Sequence, residues 1–239
     1  MRIAVVSDIH GNLTAFEAVL ADLRDTSPDL IFHGGDLADA GSSPAEIVDR
    51  VRDMRWPGVV GNTDEMLAMP EAFEHFASRS PQLESLWSAV REMATVTREA
   101  LGEARLAWLR QLPRAQVHAP LALVHASPDT AWRAPNPEAS DAELKSVYGP
   151  LGQPVVTYGH IHRSFIRSIG ELTVVNTGSV SFSYDSDPRA AYLLLDGTTP
   201  AIHRVEYDVE KEIKALTDTG FPHNAWIART LRAAAPQMP

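Results

Sequence analysis

Val5-Val6-Ser7-Asp8-Ile9-His10-Gly11-Asn12 is the stretch whose reading decides the fold. Arg2 to Val6 is a short apolar, β-branched run, too short for a helix, and it gives way to polar residues and a glycine, as a buried parallel strand does. Asp8 and His10 therefore leave the sheet edge together. After a strand, residues two apart can point into the same space, and a carboxylate with an imidazole is half the ligand set of a divalent transition metal. An Asp-x-His pair alone is a motif of low specificity. Its weight here comes from the rest of the chain, which repeats the construction four more times.

Downstream, Leu13, Phe16, Val19, Leu20 and Leu23 fall at helical spacing up to Thr26, with Asn12 as N-cap. Ser27-Pro28 breaks the chain, and Leu30 to His33 reads as a second buried strand ending in Gly34-Gly35-Asp36-Leu37-Ala38-Asp39. Asp36 thus takes the same sheet edge as Asp8. A helix is expected from Ser42 or Ser43, with Pro44 in its first turn, to about Val51. Gly58-Val59-Val60 reads as a third strand, followed by the polar loop Gly61-Asn62-Thr63-Asp64. Three strands that each end in a polar, glycine-bearing loop place their acceptors at the carboxyl edge of a parallel sheet, where open α/β folds bind ligands.

From Met66 to Gln111 the chain is rich in Ala, Leu, Glu and Arg and reads as helices, a short one around Leu106 to Leu112 closing the segment before Pro113. No ligand constellation lies there; His75 and the tryptophans are read as packing or surface residues. Strand-like runs follow at Ala115–His118, Leu121–Val124, Val155–Tyr158, Phe165–Ile169, Leu172–Val175, Ala191–Leu195 and Ala201–Val205. Gly170-Glu171 and Gly197-Thr198-Thr199-Pro200 read as hairpin turns, so this half is expected to be mainly antiparallel. Helices from about Val209 to Leu216 and Ala225 to Ala234 end the pattern. The expectation is one domain over 1–239, with a helical insertion at about 66–112.

Composition bounds the function. The 239 residues carry a formal net charge of -10, which argues against sequence-independent nucleic-acid binding, where basic patches supply most of the affinity. A small anionic substrate is still compatible, because bound cations invert the local field. There is no cysteine, which removes thiolate zinc sites, cysteine nucleophiles and disulfides and fits a reducing compartment. Met1-Arg2-Ile3 begins no signal-peptide pattern and no apolar run approaches about 18 residues, so a cytoplasmic protein without a membrane span is expected. A chain of this length buries roughly 70 to 75% of its unfolded surface and needs no structural metal, so any metal would be functional.

Two further loops complete the constellation. Val124-His125-Ala126-Ser127-Pro128 puts a histidine after an apolar strand, and Tyr158-Gly159-His160-Ile161-His162 puts two more after another. Asp8, His10, Asp36, Asn62, His125, His160 and His162 are N or O donors at strand ends, the supply that a pair of divalent ions about 3.5 to 4 Å apart needs. Arg133, Arg163, Tyr184 and Arg189 sit in loops and are candidates for lining a substrate cleft.

In order and spacing, Asp8-x-His10, Gly35-Asp36-x-x-Asp39, Gly61-Asn62-x-Asp64, His125 and Gly159-His160-x-His162 resemble the calcineurin-like metallophosphoesterase superfamily. The Ser-Asp-Ile-His-Gly-Asn opening, the short length and Asn176-Thr177-Gly178-Ser179 resemble its small prokaryotic phosphoesterase branch. The resemblance implies an α/β, four-layer αββα sandwich with two facing mixed sheets. Matched residue by residue, it implies a first metal on Asp8, His10, Asp36 and His162 and a second on Asp36, Asn62, His125 and His160, bridged by Asp36. It also implies hydrolysis of small phosphate esters by a metal-activated water, with Asp36, Asn62 and His125 at the reacting centre. The phosphodiester reading is favoured, with a phosphomonoesterase or a non-catalytic protein-binding scaffold as alternatives. Imidazole and carboxylate together suit Mn, Fe, Co, Ni and Zn, Mn being favoured. Asp39 is either a residue holding one imidazole in a fixed tautomer or a helix-entry residue, and Asp64 has no assigned role. Many superfamily members carry histidine after the asparagine, where this chain has Thr63, whose hydroxyl cannot protonate a leaving oxygen at neutral pH.

Overall fold

A computed structural model describes all residues, 1–239. Its elements are β1 (Arg2–Val6), α1 (Leu13–Thr26), β2 (Leu30–His33), α2 (Pro44–Asp53), α3 (Asn62–Ala68), α4 (Pro70–Ala77), α5 (Glu84–Leu109), β3 (Ala115–His118), β4 (Leu121–Val124), α6 (Asp141–Tyr148), β5 (Val155–Tyr158), β6 (Phe165–Ile169), β7 (Leu172–Asn176), β8 (Ala190–Asp196), β9 (Thr199–Val205), α7 (Val209–Asp218) and α8 (Asn224–Ala233). They form a four-stranded sheet, β2-β1-β8-β9, and a five-stranded sheet, β3-β4-β5-β7-β6.

The two-residue period of the strands builds the layers. In β1, Ile3 and Val5 join Phe32, Leu121, Leu123, Val155, Val175, Leu193 and Leu195 in one cluster between the sheets. Their neighbours Ala4 and Val6 face the other way, into the helices, with Phe16, Val19, Ile47, Leu101 and Leu109. In β4, Ala122 and Val124 likewise turn outward to Leu144 and Tyr148 of α6. Helix, sheet, sheet and helix therefore stack as the expected αββα sandwich, and truncating a residue between the sheets such as Leu123 to alanine would cost about 2 to 5 kcal/mol.

Some expectations are corrected. Gly58–Val60 is not a strand: it makes only an isolated parallel bridge, His33 to Gly58, and Val60 N–H bonds Pro113 O instead. The first sheet therefore has a single parallel pair, β1 with β2, the others being antiparallel. The second half is more evenly mixed than expected, because β4–β5 and β5–β7 are parallel. Gly61–Asp64 is not a free loop either; Asn62 opens α3 behind Gly61 as N-cap. The helix α6 lies outside the expected elements, although Ser140 accepts from Glu143 N–H as its N-cap, and Ser140-Asp-Ala-Glu143 spells that cap in the sequence.

Other local readings match the structure. The Asn12 side chain accepts Ala15 N–H at 2.9 Å and caps α1, and both hairpins turn between the expected strands. The helical stretch 62–109 breaks at Gly102, which has φ 65° inside α5, a left-handed conformation that glycine adopts without strain. Its buried residues Phe73, Ala94, Leu101 and Leu109 share one core with β1 and α1. At the end of the chain, α7 is tied down by Glu212, whose carboxylate accepts Thr14 Oγ1 at 2.8 Å and Ser42 N–H at 3.2 Å. No helix is long and apolar enough to cross a membrane.

Candidate metal centre

All seven sequence-derived donors converge at the strand ends. Five of them hold positive φ: Asp8 57°, His10 49°, Asp36 53°, His160 64° and His162 56°. Left-handed backbone costs an L-residue about 1 to 2 kcal/mol, and its clustering on chemistry-bearing residues marks a site that the surrounding structure holds in place. The reversals turn Asp8 and His10 toward one centre, and the loops support each other: Asp8 N–H donates to Gly35 O at 3.0 Å and His10 N–H to Asp36 O at 2.9 Å. The glycines of the two later motifs are steric necessities. A Cβ on Gly61 would fall 2.0 Å from Asp36 Oδ1, and one on Gly159 would fall 2.2 Å from Asp8 Oδ2.

The donor atoms form two adjoining sets. Ligand atoms of Asp8, His10, Asp36 and His162, all buried, lie within 4.8 Å of one another. His162 Nε2 is 3.1 Å from Asp8 Oδ1, and His10 Nε2 is 3.6 Å from Asp36 Oδ2. On the other side of Asp36, His125 Nε2 is 3.5 Å from its Oδ2. Asn62 Oδ1 lies 3.0 Å from His125 Nε2 and 2.8 Å from His160 Nδ1. Asp36 is thus the residue common to both sets. Of the seven, Asn62 and His160 are half-buried and the other five are buried.

The donor set fits cations. The outer nitrogen of His10 contacts Asp39 O at 3.1 Å, and that of His125 contacts Gly34 O at 2.8 Å. A carbonyl only accepts, so each Nδ1 carries a hydrogen, and the neutral form of each ring turns an Nε2 lone pair inward. His10 Nε2 faces His162 Nε2 at 3.4 Å, and His162 Nε2 also lies 3.1 Å from Asp8 Oδ1, a hydrogen bond that a cation bound among these donors would replace. A divalent cation is what such an array accommodates.

The charges reinforce this arrangement. Burial alone would raise the Asp8 carboxyl, but the charge and hydrogen bond of His162, with His125 and His10, hold it well below the usual range. Burial lowers His10, and burial with the nearby His125 pushes His160 down to about 4, so both are neutral donors near pH 7. Burial would also lower His125, but Asp36 and Asp8 raise it instead.

Supporting residues surround the donors. Ser7 Oγ donates to Asp8 Oδ2 at 2.6 Å, and Ser179 Oγ donates to Asp8 O at 2.9 Å. Asn176 Nδ2 donates to Gly159 O at 2.6 Å, holding the His-x-His loop. Asp64 is fully buried and accepts the backbone N–H of Asp36, Leu37 and Gly61. Burial and then the charge of Asp36 push its carboxyl up to about 6. Asp39 orients His10 through its backbone carbonyl rather than its carboxyl. The carboxyl instead accepts Thr97 Oγ1 at 2.9 Å and is pushed up to about 7 by burial. Of the four cleft candidates only Tyr184 reaches the centre, its ring 4.8 Å from that of His162. Arg163 is exposed and bonds Tyr184 O, Arg189 pairs with Asp187, and exposed Arg133 borders a separate cavity with Ser127 and Glu143.

Two facing mixed sheets with a buried Asp/His cluster at their strand ends define the metallophosphoesterase class of fold. Residues 1–199 match the calcineurin-like phosphoesterase superfamily domain, and the chain belongs to that superfamily. It is 29% identical over 252 residues to the uncharacterized protein MJ0912 of Methanocaldococcus jannaschii, covering 96% of both chains. Its fold is similar to a metallophosphoesterase from Sphaerobacter thermophilus, with TM-score 0.79, 24% identity, and 98% of this chain and 100% of that one covered. It is also similar to hypothetical protein PH1004 of Pyrococcus horikoshii OT3, with TM-score 0.83, 18% identity and 99% of each chain covered. These likenesses continue past residue 199, so α7 and α8 belong to the shared fold.

Proposed function

We propose that this protein is a dinuclear metal-dependent phosphoesterase acting on small phosphate esters, diesters in preference to monoesters. The observation that carries this reading is the meeting of two sets of buried or half-buried N and O donors at one carboxylate, Asp36. Asp8, His10, Asp36 and His162 would hold one ion, and Asp36, Asn62, His125 and His160 the other; the mixed imidazole and carboxylate donors suit Mn, Fe, Co, Ni and Zn alike, and Mn is the ion we favour. Bound there, two divalent ions supply Lewis acidity toward a phosphoryl oxygen and lower the pKa of a water toward neutrality.

The chain's own residues do the rest. Asp8 and Asp36 are the only carboxylates in the donor sets, and the neutral amide of Asn62 in place of a third leaves the loaded centre net positive, suited to an anionic ester. Half-buried Asn62 and His160 give the ester its approach, since the other donors are buried. Gly34 O and Asp39 O fix the His125 and His10 rings, so neither must reorient during a turnover. No lysine or arginine hydrogen-bonds to the donors, so the second charge of a monoester dianion would lack a side-chain partner, which favours diesters. The test is hydrolysis of a panel of phosphomonoesters, cyclic nucleotides and diesters by metal-stripped protein, with each divalent ion restored in turn. Hydrolysis of diesters under one or more ions is expected; silence across the panel with every ion would end this reading.

A further inference from the structure

Bordered by His10 and His162 lies a cavity of about 130 Å³, walled also by Met93, Phe182, Tyr184, Trp226 and Ile227. The ring of Phe182 lies almost parallel to that of His162, at 8° and 6.4 Å between centroids. Trp226 Nε1 donates to Gln237 O at 2.8 Å, which brings the end of the chain onto the cavity as its far wall. Aromatic and aliphatic side chains make up about half of the lining, and Asp39, Thr230 and Gln237 border the space beside His10 and His162.

His162 differs from its two partner imidazoles. His10 and His125 have their outer nitrogens on backbone carbonyls, whereas His162 Nδ1 is buried with no hydrogen-bond partner. Its residue is 5% exposed. A metal-ligating imidazole almost always gives its outer N–H to an acceptor, and a buried polar atom without one costs about 1 to 3 kcal/mol. The unfilled hydrogen bond and the cavity occur at the same residue. In size the cavity falls short of the roughly 300 Å³ at which drug-sized pockets begin and comes close to the roughly 150 Å³ apolar cavity that admits one benzene ring.

We propose that this cavity is a second small-molecule site, taking a compact aromatic molecule of the phenol class, whose hydroxyl hydrogen-bonds His162 Nδ1. The ring packs among Phe182, Tyr184 and Trp226, and the oxygen completes the hydrogen bonding of His162. Coupling to the metal at the first set rests on the function proposed above; occupancy of the cavity does not. Where the coupling operates it is reciprocal, the occupant tightening the metal by the same factor as the metal tightens the occupant.

The experiment is ¹⁹F NMR titration of 4-fluorophenol and of fluorobenzene into the full chain, metal-stripped and zinc-loaded, with no ester present. Saturable binding of 4-fluorophenol is expected, with fluorobenzene weaker by about fivefold or more for want of the oxygen. Ile227→Trp fills the cavity from α8 and Met93→Phe fills it from α5, so each should weaken 4-fluorophenol by about tenfold or more while the circular dichroism stays that of the wild type. No saturable binding up to about 10 mM, wild-type affinity in both filled variants, or equal affinity for the two probes would each overturn the proposal. Because binding is read without turnover, a protein inactive on every ester yet binding 4-fluorophenol would sink the proposed function alone. An active one that ignores both probes would sink this site alone.

Discussion

Asp64 reaches back from the first turn of α3 to accept the backbone N–H of Asp36 at 2.7 Å. The same carboxylate takes Leu37 N–H at 2.9 Å and Gly61 N–H at 3.0 Å, so one buried side chain joins the Asp36 loop to the Asn62 turn. Thr63 N–H closes the link by donating to Asp36 Oδ1 at 2.9 Å. Two of the donors proposed for the second ion are thereby held in register by a residue that binds no metal itself.

Asp64→Ala should accordingly be among the most damaging changes outside the donor set. It strands three buried N–H groups at a cost of about 1 to 3 kcal/mol for each left unsatisfied, and about 3 to 5 kcal/mol in sum after relaxation. Asp64→Asn keeps one acceptor oxygen and should lose roughly half as much. Urea unfolding of both variants measures this, and a loss under about 1 kcal/mol for the alanine variant would mean that water or relaxation satisfies those donors.

Metal content is expected to approach two ions per chain at saturation, because only Asp36 is common to the two donor sets. Asp36→Asn should lose affinity at both sites; asparagine tolerates the positive φ of 53° there better than alanine. His162→Ala should weaken mainly the first ion and His125→Ala mainly the second. Metal analysis with calorimetric titration separates these cases, and a saturated stoichiometry of one would contradict the paired arrangement. All three variants should stay folded, since the sandwich core does not depend on the centre.

His33 provides a pH test away from the donors. Its ring is fully buried against Gly58 and Trp108 with neither nitrogen hydrogen-bonded, and burial pushes it from 6.5 down to about 3. Within that window the unfolded chain holds a proton that the folded chain does not, so stability rises with pH across it and is lost as pH falls below about 6.5. His33→Phe removes the penalty. The acid limb of the Tm-against-pH curve should flatten in the variant between about pH 6.5 and 4, with little change above 7. Parallel acid limbs would show that His33 is protonated in the folded state.

The site was legible in the sequence because every donor but Asn62 follows a strand: the device that places a side chain at the sheet edge is written locally, as an apolar run and then polar residues, with glycine close by. What sequence alone left unresolved depends on tertiary pairing. Val155–Tyr158 and Leu172–Val175 are buried on both faces, so their period cannot tell a parallel from an antiparallel neighbour. Val59 and Val60 have strand composition, yet the chain there bonds sideways to His33 and Pro113 instead of continuing a ladder. Asp39 shows a subtler limit. Its usefulness to His10 lies in a backbone carbonyl, which any residue would offer, so side-chain identity pointed to the wrong atom.

Thr63 sits where many superfamily members carry histidine, and its Oγ1 is buried without a partner. Neither its hydroxyl nor His33, walled off by Gly58 and Trp108, is placed to protonate a leaving oxygen. On the proposed function, the rate should then depend steeply on leaving-group acidity. Activated aryl esters should be cleaved well and unactivated alkyl monoesters poorly, because a general acid contributes about 10² to 10⁴-fold and Thr63 supplies none. Thr63→His, where the imidazole reaches the leaving oxygen, should raise alkyl esters more than aryl ones and flatten that dependence. The measurement is kcat/KM across a series of leaving-group pKa values for wild type and variant, at fixed metal and pH. A flat dependence in the wild type, or equal gains on every ester in the variant, would show that another group already supplies the proton.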